Sequence, residues 1–361
     1  MTFTALDLFC GAGGLSRGLA DAGLSVVGAV DSWEPAIRSY RENFEHQVWQ
    51  ADVGKLNAAE LSKMGLAGPI DLVVGGPPCQ GFSIQRIGAD TDGRNDLIGS
   101  FARTVISLHP KLFIMENVPG LLGHRGREHL RRFEALLAHA GYETTQRILD
   151  ASDFGVPQMR KRVFVVGWPK SIGVRFEYPE PISSDPRTVR DAIGDLTEPP
   201  HDFKPMPGDR LHRRMKLSEV NLRRLKHIPP GGGFEDLPVE LRVDCHKAGA
   251  ARIGHRNVYG RLAFDRPAST ITARFDSFTR GRFAHPEQDR NITLREGARL
   301  QGFPDSHAFL GTQEEVAALI GNSVPPPLGK AMGRAAVRFL KSAQSLGSGD
   351  IEPNSARLQP A

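Results

Sequence analysis

Cysteine, long apolar runs and internal repeats are what this chain has least of. Its three cysteines, Cys10, Cys79 and Cys245, are too few and too scattered for a disulfide framework or a zinc site, so the sequence predicts no metal. No uncharged apolar run approaches the roughly 18 residues of a membrane span. The opening Met1-Thr2-Phe3-Thr4-Ala5-Leu6-Asp7 lacks the basic start and long apolar stretch of a secretory leader. No repeat or extended low-complexity tract is present. These absences point to a soluble cytoplasmic protein rather than a secreted, membrane or disulfide-stapled one. What remains is 361 residues, 40% of them hydrophobic. That length supports a real core and about two structural units.

The net charge of +5 says little, but its distribution says more. Residues 201–300 hold 20 Lys+Arg against 12 Asp+Glu, a net of +8, leaving the rest of the chain at −3. A basic segment beside a slightly acidic remainder suits a phosphate-backbone contact surface, with a solvated Arg-rich face as the alternative.

The first 170 residues alternate short apolar runs with amphipathic stretches. Runs near 5–9, 25–30, 70–74, 112–115 and 162–167 read as buried strands, and 15–22, 34–44, 97–107 and 127–140 as helices. The alternation predicts a mostly parallel, doubly wound α/β sheet of Rossmann-like form. Residues 171–310 break the rhythm, with prolines and glycines such as Pro229-Pro230-Gly231-Gly232-Gly233, and predict a loop-rich lobe. Helical patterns return at 313–320 and 328–340. The expected division is therefore a catalytic domain of 1–172 and 311–342, a second lobe of 173–310, and a disordered tail of 343–361.

The first strand runs into Asp7-Leu8-Phe9-Cys10-Gly11-Ala12-Gly13-Gly14-Leu15 and then a helix. Glycines at a strand-to-helix turn let the backbone approach a ligand. A second strand ends at Asp31, twenty residues after Gly11, where a carboxylate can accept ribose hydroxyls. Ser16 stands where a third glycine is expected. The pattern favours an adenosine-bearing cofactor and leaves NAD and S-adenosylmethionine both open. Cys10 reads as a small buried hydrophobe, and Trp33 as packing.

The third strand ends in Gly75-Gly76-Pro77-Pro78-Cys79-Gln80-Gly81. Prolines stiffen the approach to Cys79 and glycines clear space beside it, which suits a nucleophile beyond the carboxyl end of a strand. The fourth strand ends in Glu116-Asn117-Val118, and a glutamate closing a buried strand needs a partner or a task. Gln158-Met159-Arg160-Lys161-Arg162 then places Arg160 and Arg162 on one face at period two.

Together these segments resemble the cytosine-5 DNA methyltransferase family, in its order and along most of the chain. Asp92-x-Arg94-x-x-Leu97, Arg266-Pro267-Ala268-Ser269-Thr270, Leu300-Gln301-Gly302-Phe303-Pro304 and Gly321-Asn322-Ser323-Val324-Pro325 extend the match. The resemblance implies a restriction-modification-like enzyme of prokaryotic type acting on double-stranded DNA as a monomer, with a restriction endonuclease as possible genetic partner. It implies S-adenosylmethionine as methyl donor and S-adenosylhomocysteine as product. Cys79 would attack carbon-6 of cytosine, while Glu116 would protonate nitrogen-3. Arg162, with Arg160 nearby, would hold the base carbonyl oxygen, and Asn117 would position the loop or Glu116. Phe9 would lie against the adenine, Gly11 and Gly13 near the methionine part, Asp31 at the ribose and Asp52 at the adenine amino group. Gly14, Leu15, Val53 and Pro77 complete the expected cofactor wall, which Asn322 and Val324 would close. A cytosine stacked in a duplex cannot present carbon-6 to a buried thiol, so the base must flip out, as it does for DNA methyltransferases generally. The 173–310 lobe would grip the DNA and read the target within about 175–260.

Two rival readings stand beside this one. A tRNA cytosine-5 methyltransferase would share the machinery, but this chain has Ser277-Phe278-Thr279 where that branch carries Cys-Phe-Thr. A silent DNA-binding relative would be expected to have lost Cys79 or Glu116.

Overall fold

A computed structural model describes residues 2–66, 68–78, 97–182, 185–247 and 258–348. Cys79, Asp92, Arg94 and His255, the Cys245 side chain and the tail beyond Ser348 lie outside the described residues. The body is a seven-stranded sheet of β1 (Thr4–Leu8), β2 (Ser25–Asp31), β3 (Val48–Gln50), β4 (Leu72–Gly75), β5 (Leu112–Asn117), β6 (Tyr142–Asp150) and β7 (Lys161–Pro169). Between the strands run α1 (Gly14–Asp21), α2 (Glu34–Asn43), α3 (Ala58–Lys63), α4 (Leu97–Leu108) and α5 (His124–His139).

The strand order is β3-β2-β1-β4-β5-β7-β6. The first five strands are parallel, and β7 lies antiparallel between β5 and β6. β1 sends one connection to β2 and has β4 on its other side, so the order reverses there. A crevice opens at such a point beyond the strand ends, and it fixes where a ligand can sit.

Both faces of the sheet are covered, so the central strands are apolar except near their carboxyl ends, and all six residues of β5 are buried. On one face Phe101, Phe113 and Phe133 meet edge-on or tilted with centroids 5.9–6.3 Å apart. On the other, Leu15 and Leu19 of α1 pack with Leu328, Met332, Ala336 and Phe339 of the last helix, α11 (Pro326–Ser348). β6 is absent from the sequence expectation because it is an edge strand. Only Tyr142 and Leu149 are buried in it, and Thr144-Thr145-Gln146-Arg147 reads as polar loop. Its mate β7 runs opposite to the main set, which periodicity alone does not reveal.

The lobe contains the short helices α6 (Val189–Ile193), α7 (Glu219–Lys226), α8 (Asp244–Lys247) and α9 (Leu294–Leu300), and the strand pair β8 (Gly260–Arg261) and β9 (Arg282–Ala284). Phe234, Phe275, Phe278, Phe283 and Phe309 form its core. Helix α10 (Gln313–Asn322) packs Val316, Ala317, Leu319 and Ile320 into that same core, which Ala12 and Ala36 of the sheet side also join. α11 also continues to Ser348, past the expected start of the disordered tail. Once an amphipathic helix is nucleated by packing, each further residue adds one hydrogen bond at small cost.

Arginines tie the lobe's loops together. The buried Arg261 donates to the carbonyls of Leu225, Ile228, His285 and Gln288 and pairs with Asp289 at 2.6 Å. Arg290 forks onto both carboxylate oxygens of the buried Glu296 at 2.8 and 2.6 Å. Burial would push that carboxyl's pKa up, but the Arg290 bonds and charge bring it below the usual range. Arg282, Arg214, Arg242, Arg295 and Arg299 make similar internal ties. Much of the positive charge counted in the lobe is thus structural, a correction to reading it all as a phosphate surface.

Helices α1 and α11 approach so closely at Gly18 that a Cβ there would lie 2.5 Å from the Lys330 nitrogen and 2.6 Å from the Pro326 oxygen. Both are main-chain atoms that cannot swing aside. Gly18→Ala is expected to lose about 1–3 kcal/mol of stability by overpacking, read from the midpoint of urea unfolding.

Candidate active site

The crevice beyond β1 is a cavity of about 550 Å³, within the range of small-ligand sites. One end is the glycine turn between β1 and α1. Phe9, Gly11 and Gly13 all have left-handed backbone, with φ of 60°, 54° and 87°. The turn is held by the Gly11 N–H donating to Asp31 Oδ2 at 2.9 Å and by Cys10 N–H donating to the Val30 oxygen at 3.1 Å. Asp31 Oδ1 accepts from Trp33 N–H at 2.9 Å, so its carboxylate fixes two loops at once. Burial raises its pKa, against the lowering effect of those amides. Each carboxylate oxygen retains acceptor capacity beyond the one bond it makes here.

Phe9, Gly11, Gly14, Leu15, Asp31, Asp52, Val53, Pro77, Asn322 and Val324 all line the cavity, as do Glu116, Asn117, Arg160 and Arg162. Gly13 does not. A Cβ on it would meet the Phe44 ring at 2.2 Å and Tyr40 at 3.0 Å, so its missing side chain spares the packing behind the turn. Gly14 has a double duty, because a side chain there would strike the Val324 carbonyl at 2.3 Å. Its smallness is what lets the distant C-terminal segment close the site. Cys10 is buried with its thiol pKa pushed up by burial and by Asp31 and Asp7, which makes it an inert wall residue.

Ser16, the odd residue of the glycine pattern, donates to Asp7 Oδ2 at 2.6 Å and accepts from the Tyr40 hydroxyl at 2.7 Å. Tyr40 in turn sits 2.7 Å from His46 Nε2. Asp7 is a cavity residue that sequence reasoning passes over, although it opens the quoted turn. Burial raises its pKa to about 7, with Ser16 opposing and Asp31 adding to the shift. Trp33, which reads as packing in the sequence, lines the cavity too.

At the other end β5 and β7 present the second group of residues. Glu116 Oε1 pairs with Arg162 Nε at 2.9 Å, and among the described residues that oxygen accepts no aligned hydrogen bond. A Cβ on Gly76 would come within 3.1 Å of Glu116 Oε2, so the glycine before the two prolines gives the carboxylate its room. Asn117 Nδ2 donates to the Pro77 oxygen at 3.1 Å, and Asn117 Oδ1 accepts from Val118 N–H at 2.8 Å. This ties the strand end to the backbone two residues before Cys79. Burial lowers the Arg162 pKa and Glu116 counteracts it.

Arg160 does not stand beside Arg162 as a second base-carbonyl donor. It is fully buried, and its two Nη atoms donate to the carbonyls of Ile271, Gly321 and Ser323, each at 3.0 Å. Gln158 joins the same knot, donating to Gln301 Oε1 at 2.6 Å and accepting from Ile271 N–H at 2.8 Å, while Gln301 donates to the Ser323 oxygen at 2.7 Å. Three motif segments far apart in the chain thus meet on the Gln-x-Arg segment. Neither glutamine stands out by itself in the sequence, because a polar residue inside a motif does not say which way it points.

The electrostatics of the cavity discriminate between cofactors. Its turn end carries Asp7, Asp31 and Asp52, with no lysine or arginine among the described lining residues there. A pyrophosphate would meet three carboxylates, whereas an adenosine joined to a cationic amino acid meets complementary charge. Among the described residues no His, Cys, Asp and Glu cluster is arranged to hold a metal ion.

Asp7 generates a signed expectation. Its folded-state pKa lies above the unfolded value, so ionising it costs stability as pH rises from about 3.8 to about 7. Asp7→Asn should therefore raise the unfolding midpoint of the ligand-free protein at pH 8, by an amount between about 1 and 4 kcal/mol. The gain should vanish near pH 4, as compared by urea unfolding at the two pH values.

Residues 3–338 match the sequence model of the C-5 cytosine-specific DNA methylases. The Type II methylase M.HgiDII of Herpetosiphon aurantiacus is 33% identical over 345 residues, covering 94% of this chain and 97% of that protein. The Type II methyltransferase M1.HphI of Haemophilus parahaemolyticus is 35% identical over 348 residues, covering 94% and 88%. Among solved structures, a prophage-encoded E. coli protein assigned as a DNA modification methyltransferase superposes with a TM-score of 0.73 at 28% identity, covering 94% of this chain and all of the other. On this match the chain belongs to the C-5 cytosine-specific DNA methylase family, and its enzyme class is DNA (cytosine-5)-methyltransferase.

Proposed function

We propose that the enzyme transfers a methyl group from S-adenosylmethionine to carbon-5 of a cytosine flipped out of a short, specific duplex sequence, through a covalent bond between Cys79 and carbon-6. The observation that carries this reading is one cavity with two chemically distinct ends: the carboxylate-lined turn at one, the Glu116–Arg162 pair beside the Pro77-Pro78 backbone at the other. S-adenosylmethionine, when bound, supplies an electrophilic methyl group, and Phe9, Gly11, Gly14, Leu15, Asp31, Asp52, Val53, Pro77, Asn322 and Val324 would hold it.

Carbon-5 of cytosine is a weak nucleophile until the ring becomes an enamine. The Cys79 thiolate adds to carbon-6, the electron pair moves toward nitrogen-3, and Glu116 delivers a proton there. Arg162 turns from Glu116 to the base oxygen and offsets the developing negative charge. Asn117, through the Pro77 carbonyl, positions the Cys79 loop. Arg160 acts through the backbone it clasps. After methyl transfer Glu116 takes back the nitrogen-3 proton, the carbon-5 proton leaves, its bonding pair re-forms the carbon-5–carbon-6 double bond, and the thiolate is expelled.

The lobe is proposed to read the target. With most of its arginines tied internally, the exposed Lys216, Arg223, Lys226 and Arg280 are the cations best placed for phosphates. A cytoplasmic, monomeric enzyme with a companion restriction endonuclease completes the reading, in line with the restriction-modification relatives.

Methyl transfer from labelled S-adenosylmethionine to mixed-sequence duplex DNA, followed by bisulfite sequencing, tests it. Carbon-5 methylation should fall within one short motif and be absent in Cys79→Ala. Labelling of tRNA instead of DNA would overturn the substrate and keep the chemistry. Glu116→Gln should lower kcat by roughly 10²–10⁴, the usual contribution of a positioned acid, measured under single-turnover conditions.

A further inference from the structure

The glycine turn has a third anchor, and it comes from the far end of the chain. His307, in the loop after α9, is buried and places Nε2 2.9 Å from the carbonyl oxygen of Ala12, between the two left-handed glycines. A carbonyl only accepts, so the ring carries its proton on Nε2. Nδ1 is then a bare acceptor, buried and without a partner among the described residues.

The ring sits in an aromatic cage, with centroids 4.6 Å from Phe303, 4.9 Å from Phe309 and 6.3 Å from Phe44. A phenylalanine would fill this cage and leave no orphaned nitrogen. The imidazole is worse for packing than the ring it could be, and a buried unsatisfied atom requires a compensating reason. The bond to Ala12 is the only one the ring makes among the described residues. Burial brings the ring pKa down to about 4, so it stays neutral and keeps this geometry at ordinary pH.

The loop carrying His307 is itself fastened. Asn43 of α2 donates to the Ala308 oxygen and accepts from the Ala308 N–H, both at 2.8 Å, and Leu310 N–H donates to Ser39 Oγ at 2.9 Å. A turn with left-handed backbone at three of five residues is entropically costly to hold in one shape. Asp31 and Val30 grip its first half, and His307 grips the peptide that precedes Gly13.

We propose that His307 is a positioning residue for the cofactor turn, fixing the Ala12–Gly13 peptide in the orientation that the methyl donor and its product require. The inference rests on the cofactor assignment made above. Its test uses calorimetric titration of the full-length enzyme with S-adenosylhomocysteine, for wild type, His307→Phe and His307→Gln. His307→Phe should bind roughly tenfold more weakly, the size of one buried hydrogen bond. KM for the methyl donor should rise in step, with kcat and DNA affinity unchanged. His307→Gln, which restores a donor of similar reach, should recover most of the loss. Wild-type affinity in His307→Phe would overturn the proposal. So would a parallel fall of cofactor affinity, DNA affinity and melting temperature that His307→Gln does not repair. Nitrogen NMR of the wild-type imidazole gives a check that needs no variant: an Nδ1–H tautomer would overturn it as well. Failure of the wild type itself to bind S-adenosylhomocysteine would instead sink the cofactor assignment.

Discussion

A buried guanidinium holds this molecule's site together. Arg160 gives charge-assisted hydrogen bonds to three carbonyls, one from the segment after Arg266-Pro267 and two from the end of α10 and the chain beyond it. Each such bond is worth about 1.5–3 kcal/mol when a charged donor is involved. The larger constraint is geometric, because an arginine cannot shed its charge inside a protein and must find acceptors. These carbonyls lie in an irregular loop and at a helix C-terminus, where main-chain acceptors lack regular partners. The clasp therefore solves two problems with one side chain: it offsets the desolvation of Arg160 and gives partners to three main-chain oxygens of two segments. Gln158 and Gln301 extend the same solution to neighbouring main-chain groups.

With that knot in place, the cavity's charge asymmetry follows from the sheet. β1 and β2 end in Asp7 and Asp31 on one side of the reversal point, while β5 and β7 bring Glu116 and Arg162 to the other. A carboxylate at the end of a parallel strand has no strand partner to pair with and is held instead by amides or hydroxyls: Asp31 by Gly11 and Trp33, Asp7 by Ser16. Glu116 alone has a cationic partner, and an imperfectly aligned one. An ion pair that borders an open cavity can be reorganised when a ligand offers a better geometry. That is the property required of two groups that must both turn to an incoming base.

What the sequence makes legible divides along physical lines. The five strands read from apolar runs are the five inner strands of the sheet, where the hydrophobic signal is nearly continuous, while the short edge strand β3 is not read. β6 escapes because edge exposure erases that signal, and for α10 periodicity shows a helix but not the core it joins. Glu116, Asn117, Arg162 and the acidic strand end at Asp31 are recoverable because their type is costly at their position, so type and position together imply a task. Arg160 and Gly13 are harder to assign from type and position. Arg160 and Arg162 both border the cavity, but the Arg160 guanidinium is taken up by main-chain carbonyls. Gly13 differs from Gly11 only in which neighbour its missing side chain spares. Ser16, an apparent lapse in the glycine pattern, is explained by Asp7 and Tyr40, neither of which a spacing rule considers.

The lobe extends the logic of Arg160 to a whole domain. A surface that reads an irregular ligand needs loops, and loops leave main-chain carbonyls without partners. Arg261 closes four of them and Arg282 holds the two glycine carbonyls at 231 and 232, so guanidinium groups do here what strand ladders do in the sheet. The basic composition of 201–300 is therefore in large part a consequence of irregularity and only in part a signature of phosphate contact. This changes what charge counts mean in such a segment. A lysine cannot replace an arginine that bridges several carbonyls, because a point charge with three donors lacks the planar fork. Lysines and arginines on exposed positions carry the electrostatic attraction to a polyanion, while the buried arginines decide whether the reading loops have a shape at all.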